Sequence, residues 1–318
     1  MSGAPPPARG ARLEWSALPG RIRDAVGERL GGPVVEAITQ PEGFSPAVAA
    51  RVRTATGARA FVKAVHAGAN PDTLGIYRRE ISVVRSLPRG LPVPRLLWWL
   101  DEGADGWVLL MFEELQAVHA ALPWRRDELD RAMAALRALA ETPAPAWLAA
   151  DTGAGEWIRS RWCSWASLAS EPPRGLDAWS RRHAERMSEL ERNVAEAVDG
   201  DALVHLDIRW DNLLVDERTA WVVDWPWARR GAPWIDAVFF APTVEVQGGP
   251  AAEDVLAHHL RGTTVDGDAV LALVVAVTGM LTARSLAPPP AGMPTLRAFQ
   301  AAFARAFRSW LRRITGWT

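Results

Sequence analysis

The sequence predicts an α+β protein of two lobes, a small N-terminal β-sheet lobe followed by a larger, mainly helical lobe. Three observations predict this. Strand-like runs dominate from Pro33 to about Leu115, long helical patterns take over beyond Leu115, and a short group of strand-like runs returns between Ala202 and Asp224 inside the helical half. A cleft between the two lobes is the natural place for a ligand.

Along the chain, the N-terminus carries Pro5, Pro6, Pro7, Arg9 and Arg12 and lacks the apolar centre of a secretory signal, so residues 1–20 read as a flexible leader. Ala47–Arg53 and Ala58–His66 read as strands joined at Thr56-Gly57, a plausible hairpin turn. Asp72–Leu87 reads as a helix, opened after Asn70-Pro71 and closed before Pro88, with Ile76, Ile81, Val84 and Leu87 as candidate buried positions. Strands are expected again at Arg95–Leu100 and Trp107–Phe112. The texture changes at Glu113–Ala117, which divides the chain into lobes 1–114 and 115–318.

In the second lobe Leu129, Met133, Leu136 and Ala140 fall on one helical face, and one long helix is expected over Leu176–Val198. Short strands follow at Ala202–Leu206, Leu213–Asp216 and Trp221–Asp224. The uncharged stretch Ala269–Ala283 is shorter than the roughly 18 to 20 residues that span a bilayer, and reads as a buried core helix. No internal repeat is present.

Composition narrows the partners. With 36 basic against 37 acidic residues and a net charge of −1, the chain has no broad positive field for nucleic acid. Its single cysteine, Cys163, excludes an internal disulfide and fits a reducing, cytoplasmic setting. Neither a membrane span nor an oligomeric state is encoded in the pattern.

The most informative stretch is Leu203–Asp224, which reads LVHLDIRWDNLLVDERTAWVVD and contains H-x-D-x-x-x-x-N followed by a strand ending in Asp-Trp. Phosphoryl transfer needs a carboxylate to orient the attacking hydroxyl and further oxygen ligands to hold magnesium against the phosphates. Asp207, Asn212 and Asp224 suit those three jobs, with Arg209 as a candidate catalytic cation beside them. Singly, each is an ordinary turn or cap residue; it is the ordered set between apolar strands that points to chemistry. His205 is expected to hold the loop through hydrogen bonds. A zinc site is disfavoured, because His258 and His259 sit in a separate helical segment.

This segment resembles the catalytic loop and metal-binding strand of the aminoglycoside phosphotransferases and choline-kinase-like enzymes, relatives of the protein kinases. Downstream, Asp224-Trp225, Ala228, Gly231, Pro233 and Asp236 follow the family pattern D-W-x-x-A-x-x-G-x-P-x-x-D. Departures are Leu206 for the glycine of H-G-D, Trp210 and Asp211 for a common Pro-Gly, and Pro226 for an acidic residue. None removes a catalytic group, and Asp236 reads as a brace. The resemblance implies a two-lobed protein-kinase-like fold and a small-molecule kinase using Mg²⁺ with ATP or GTP.

The resemblance also assigns the first lobe to nucleotide binding. Lys63 is the only lysine among the 36 basic residues, on the strand Phe61-Val62-Lys63-Ala64-Val65 where a kinase-like lobe places the ammonium that contacts the phosphates. Such a singular residue argues for a specific demand, since an ammonium and a guanidinium are not interchangeable. Glu80 is implied as its partner, with Arg78 and Arg79 as competitors; Ser45, in Gly43-Phe44-Ser45, is implied over the phosphates; Glu113, in Met111–Leu115, belongs to a hinge resembling the one that meets the base. No P-loop or dinucleotide fingerprint appears.

The acceptor is expected to be a small hydroxylated molecule, an antibiotic among the candidates, with an amino-alcohol metabolite or a regulatory pseudokinase without turnover as alternatives. From Ala241 to Thr318 the acids Glu245, Glu253, Asp254, Asp266 and Asp268 face seven arginines, so the acidic surplus that would attract a polycation is missing. Trp157, Trp162, Trp165 and Trp179 are candidates for an aromatic pocket or for plain helix packing.

Overall fold

The computed structural model describes residues 6, 10, 12–41, 43, 44, 47–68, 71–290 and 292–318. The first lobe runs α1 Gly20–Leu30, β1 Val34–Thr39, β2 Val48–Thr54, β3 Arg59–His66, α2 Pro71–Ser86, β4 Leu96–Asp101 and β5 Trp107–Glu113. The strands form one antiparallel sheet in the order β1-β2-β3-β5-β4.

Period-two alternation divides this sheet between two helices. Val62, Ala64, Leu109 and Met111 pack with Leu18, Ile22 and Val26 on the α1 side. Val65, Val108, Leu110 and Phe112 pack with Leu74, Tyr77 and Ile81 of α2 on the other. Lys63 pairs with Ala49 and Leu110 and shares the α2 side, which aims its ammonium at that helix. The apolar side chains that α2 buries are Leu74, Tyr77, Ile81 and Val83; Ile76 and Val84, and Leu87 just beyond the helix, are only partly covered.

The reading of residues 1–20 as a free leader is corrected for the described part. Leu13 bridges to Val48, its amide donates to the Ala47 carbonyl at 3.2 Å, and Trp15–Ala17 form a 3-10 turn leading into α1. Four-residue spacing of Leu18, Ile22 and Val26 supplies the apolar stripe that holds this segment down.

The second lobe contains α3 Arg126–Ala140, α4 Ala146–Ala149, α5 Ala154–Arg161, α6 Trp165–Ser170, α7 Ala178–Glu191, α8 Val194–Ala197, strands β6 Ala202–Val204, β7 Leu213–Val215, β8 Ala220–Val222 and β9 Arg229–Gly231, then α9 Ile235–Val246, α10 Ala252–His259, α11 Gly267–Ser285 and α12 Leu296–Thr315. The expected helix over Leu176–Val198 is in fact two. It breaks after Glu191, whose carboxylate accepts hydrogen bonds from the amides of Ser164 (3.1 Å), Trp165 (2.8 Å) and Ala166 (3.3 Å), capping α6. Burial pushes that carboxyl up to about 6.

α11 has the length and composition of a membrane span, yet it is the core helix of this lobe, with Ala272–Val277 buried throughout. Trp165 donates its indole N–H to the Val275 carbonyl at 2.8 Å. Gly279 permits that approach, because a Cβ there would lie 2.6 Å from the indole nitrogen. β7 and β8, close to two of the expected short strands, form a hairpin, while β9, absent from the sequence reading, pairs antiparallel with β6.

Candidate active site

The site begins where β6 ends. Asp236, in the first turn of α9, accepts the backbone amides of His205 (2.7 Å) and Leu206 (2.9 Å), fixing the start of the loop. This is the bracing expected of Asp236. Burial pushes its carboxyl up to about 6, against the pull of the two amides. Leu206 adopts φ 63, the left-handed conformation that glycine would take at no cost, and its buried side chain compensates by joining the core.

His205 is fully buried. Its Nε2 lies 3.1 Å from the Val223 carbonyl and the Asp207 amide donates to Nδ1 at 3.3 Å, an arrangement that places the proton on Nε2. Desolvation drives its pKa down to about 4, so the ring is neutral near pH 7 and works as a strut between the two halves of the site.

Asp207 follows. One of its oxygens accepts from Arg209 Nη1, and the other from Asn212 Nδ2 at 3.1 Å; the same Nδ2 also donates to the Asp207 carbonyl at 2.8 Å. Burial raises the Asp207 carboxyl to about 6, with Arg209 opposing the rise, which leaves it largely ionised at neutral pH. Arg209 also grips both oxygens of Asp211 at 3.0 Å and lies over the Phe299 ring at 5.5 Å. Its charge is therefore spent on holding two carboxylates of this loop.

β8 ends at Val222, two residues before the expected strand terminus, and Asp224 sits beyond it at φ 69. The Val223 amide donates to the Asn212 carbonyl at 3.0 Å, tying the two loops together. Asp224 Oδ1 accepts from Lys63 Nζ at 2.8 Å, and Lys63 also reaches both Glu80 oxygens, at 2.9 and 2.6 Å. Burial works against the ammonium, but Asp224 and Glu80 more than reverse it and hold its pKa above the usual lysine value. Burial would likewise raise Asp224; Lys63 and Arg209 bring it below the ordinary aspartate range.

Arg78 and Arg79 do not compete for Glu80. Arg78 forms a fork with Asp101 at 2.8 Å, while Arg79 donates to the carbonyls of Pro226 (2.7 Å) and Ala228 (2.9 Å) and pairs with Asp151 at 2.7 Å. The sequence reading missed Arg79 as a lobe-to-lobe clamp and missed Tyr77, whose ring lies 5.5 Å beneath the Lys63 ammonium. Tyr77 is the chain's only tyrosine, three residues before Glu80 on the same helical face, and that singularity was the available signal.

Lys63, Glu80, Asp207, Arg209, Asn212 and Asp224 line one cleft of about 1380 Å³ between the lobes, together with Glu113, Glu114 and Leu115. Glu113 sends its amide to the Arg95 carbonyl at 3.0 Å and accepts from Arg95 N and Nε at 2.8 and 2.9 Å, so its side chain pins the start of β4. Gly43 and Phe44 also line the cleft, with Phe44 edge-on to Phe299 at 5.3 Å; Ser45 lies outside the described residues. Trp157 and Trp162 face the cleft, whereas Trp165 and Trp179 serve in packing.

The donor chemistry fits magnesium. The Asn212 carboxamide is oriented by its Nδ2 bonds, leaving Oδ1 as its open face, and Asp224 adds a carboxylate, both hard oxygen donors of the kind Mg²⁺ takes with water and phosphate oxygens. Among the described residues no cluster of three or more His, Cys, Asp or Glu is arranged as an all-protein metal cage.

Comparison with curated proteins finds no match. Among solved structures, the chain is similar to choline kinase LicA from Streptococcus pneumoniae at 15% identity and TM-score 0.60, with 91% of this chain and 100% of that one covered. It is similar to a thermostable mutant of the aminoglycoside phosphotransferase APH(4)-Ia, in ternary complex with ADP and hygromycin B, at 16% identity and TM-score 0.59 over 92% and 98% of the two chains. Spectinomycin phosphotransferase APH(9)-Ia, in complex with ADP and spectinomycin, gives 13% identity and TM-score 0.58 over 91% and 93%. These superpositions establish a shared protein-kinase-like fold. The model of the phosphotransferase enzyme family matches residues 38–274, a span that takes in Lys63, Glu80 and the whole loop system from His205 to Asp236, and the chain therefore belongs to that family.

Proposed function

We propose that this cleft transfers the γ-phosphoryl group of ATP or GTP to a hydroxyl of a small molecule. The observation that carries the reading is the convergence of Lys63, held by Glu80 from the small lobe, on Asp224 of the large lobe, with Asp207 and Asn212 on the neighbouring loop. In this reading Lys63 binds the nucleotide phosphates, Asn212 and Asp224 hold Mg²⁺, and Asp207 orients the acceptor.

The balance of the step is simple. The acceptor oxygen attacks Pγ, its proton passes to the Asp207 carboxylate, the new O–P bond forms, and the bond from Pγ to the β,γ-bridging oxygen breaks to release the nucleoside diphosphate. Mg²⁺, when bound, neutralises charge on the phosphate oxygens. Arg209 and Asn212 keep Asp207 in one orientation, which is where positioning enters the rate.

The test is nucleotide consumption with Mg²⁺ over a panel of aminoglycosides, nucleoside and peptide antibiotics, choline, amino-alcohols and hydroxy acids, with product mass determined. A product heavier by one phosphoryl group supports the reading. Tight Mg-nucleotide binding with silence across the panel contradicts transfer to these acceptor classes and leaves an acceptor outside the panel or a nucleotide-binding pseudokinase.

A further inference from the structure

The charged groups of the cleft are not evenly matched. Each carboxylate that lines it is engaged: Glu80 and Asp224 by Lys63, Glu113 by Arg95, Glu114 by Arg51 and Arg59, Asp207 and Asp211 by Arg209. Two cleft-lining arginines have no such partner. Arg161, at the end of α5, and Arg284, near the end of α11, are both exposed, and neither has a carboxylate within ion-pair distance among the described residues.

Arg284 also packs against the backbone that carries Arg161. Arg284 Nη2 reaches the Arg161 carbonyl at 3.4 Å, and the Arg161 guanidinium lies 5.7 Å from the centre of the Trp157 ring. Behind them Arg297 is turned toward neutral groups, the Pro288 carbonyl at 3.0 Å and Gln300 Oε1 at 2.8 Å. Partial burial and the neighbouring Arg297 depress the Arg284 pKa, and the charge of Asp207 opposes them. Arg161 and Arg284 are both exposed at the cleft wall, and with no carboxylate paired to either among the described residues an arriving anion meets two open guanidinium groups.

The adjoining wall is apolar. Trp162, Phe239, Met280, Phe299 and Phe303 line the same cleft, with Trp162 and Phe239 in edge contact at 4.9 Å. Such a surface rewards burial of an apolar or aromatic body and offers a polycation no carboxylate.

We infer that the acceptor is a hydroxylated molecule with an apolar or aromatic body and an anionic group, a carboxylate in its simplest form, held by Arg161 and Arg284. This rests on the kinase reading of the cleft and adds the acceptor class. The arginine pair fixes the anionic end, the aromatic wall takes the body, and the hydroxyl is left facing Asp207.

Three matched probes test it: 4-(hydroxymethyl)benzoate, 4-(hydroxymethyl)benzamide and 4-(hydroxymethyl)benzylamine, each assayed with Mg-ATP and Mg-GTP by product mass and kcat/KM. The benzoate is expected to exceed the benzamide by about tenfold or more, with the benzylamine poorest. Arg284→Gln is expected to lower kcat/KM for the benzoate by about 10- to 100-fold, the worth of a charge-assisted hydrogen bond, with the benzamide and nucleotide affinity little changed. Arg161→Gln gives the same selective loss from the opposite side of the pair.

A preference for the benzylamine, equal use of all three, or no turnover of the benzoate while Mg-nucleotide binds would each overturn the inference. So would an Arg284→Gln variant that lowers benzamide and benzoate turnover alike, since that marks a contact to the transferring phosphoryl group. Product from the benzylamine or benzamide at or above the benzoate's rate leaves the kinase standing without the anionic acceptor. Loss of Mg-nucleotide binding itself removes the kinase reading.

Discussion

At the scale of single residues the site is built from groups in costly states. Leu206 at φ 63 and Asp224 at φ 69 both occupy the left-handed region, each within reach of the phosphoryl-transfer loop. Such conformations persist only where neighbours enforce them, here Asp236 on the Leu206 amide and Lys63 on the Asp224 carboxylate. His205 is a third case, an imidazole kept neutral inside the core. Its folded pKa, about 4, lies below the usual value near 6.5, so its contribution to stability is full above about pH 6.5 and is lost as pH falls through 4. The expected result is a His205 ring resonance that shows no protonation down to about pH 5, with a stabilising contribution smaller by about 2 kcal/mol at pH 5 than at pH 7. Titration of that resonance near pH 6.5 would contradict the buried strut.

At the scale of elements, one aspartate sets a whole loop. Asp236 joins α9 to the strand end at His205-Leu206, and β9 holds the same strand from its other side. Asp236→Ala leaves two buried amides without acceptors and is expected to cost about 2–3 kcal/mol of stability. In the proposed reading it should also lower kcat far more than it weakens nucleotide binding, because Lys63 and Glu80 of the small lobe lie outside the loop that Asp236 braces. Urea denaturation paired with nucleotide titration checks both effects; equal losses in binding and turnover would show that Asp236 only holds the fold together.

The same scale shows what the sequence made legible. The sheet strands and α2 were readable because their alternation and proline boundaries are local, and H-x-D-x-x-x-x-N was readable because its spacing is fixed by a short loop. The Lys63–Glu80 pair followed from a singular lysine and the family pattern. Less local features were hidden: α1 carries only a thin apolar stripe, β9 is three residues long and exists through its pairing with β6, and the break after Glu191 depends on a carboxylate capping a different helix. Arg209 was legible as a cation beside Asp207 but not as one already shared between Asp207 and Asp211, and the unmatched Arg161 and Arg284 meet only when α5 packs beside α11.

At the scale of the molecule, two lobes divide the work. The small lobe brings Lys63 and Glu80, the large lobe brings Asp207, Asn212 and Asp224, and the cleft closes on ion pairs that cross between them, Lys63 with Asp224 and Arg79 with Asp151. In the proposed reading Asp207 serves the acceptor while Lys63, Asn212 and Asp224 serve the Mg-nucleotide, so a substitution at Asp207 can abolish transfer and spare nucleotide binding. The most direct measurement is single-turnover phosphoryl transfer by wild type and Asp207→Asn, with Mg-nucleotide affinity measured on the same samples. The account predicts a fall in transfer of roughly 10²- to 10⁴-fold at nearly unchanged nucleotide affinity. Full transfer by Asp207→Asn would contradict it.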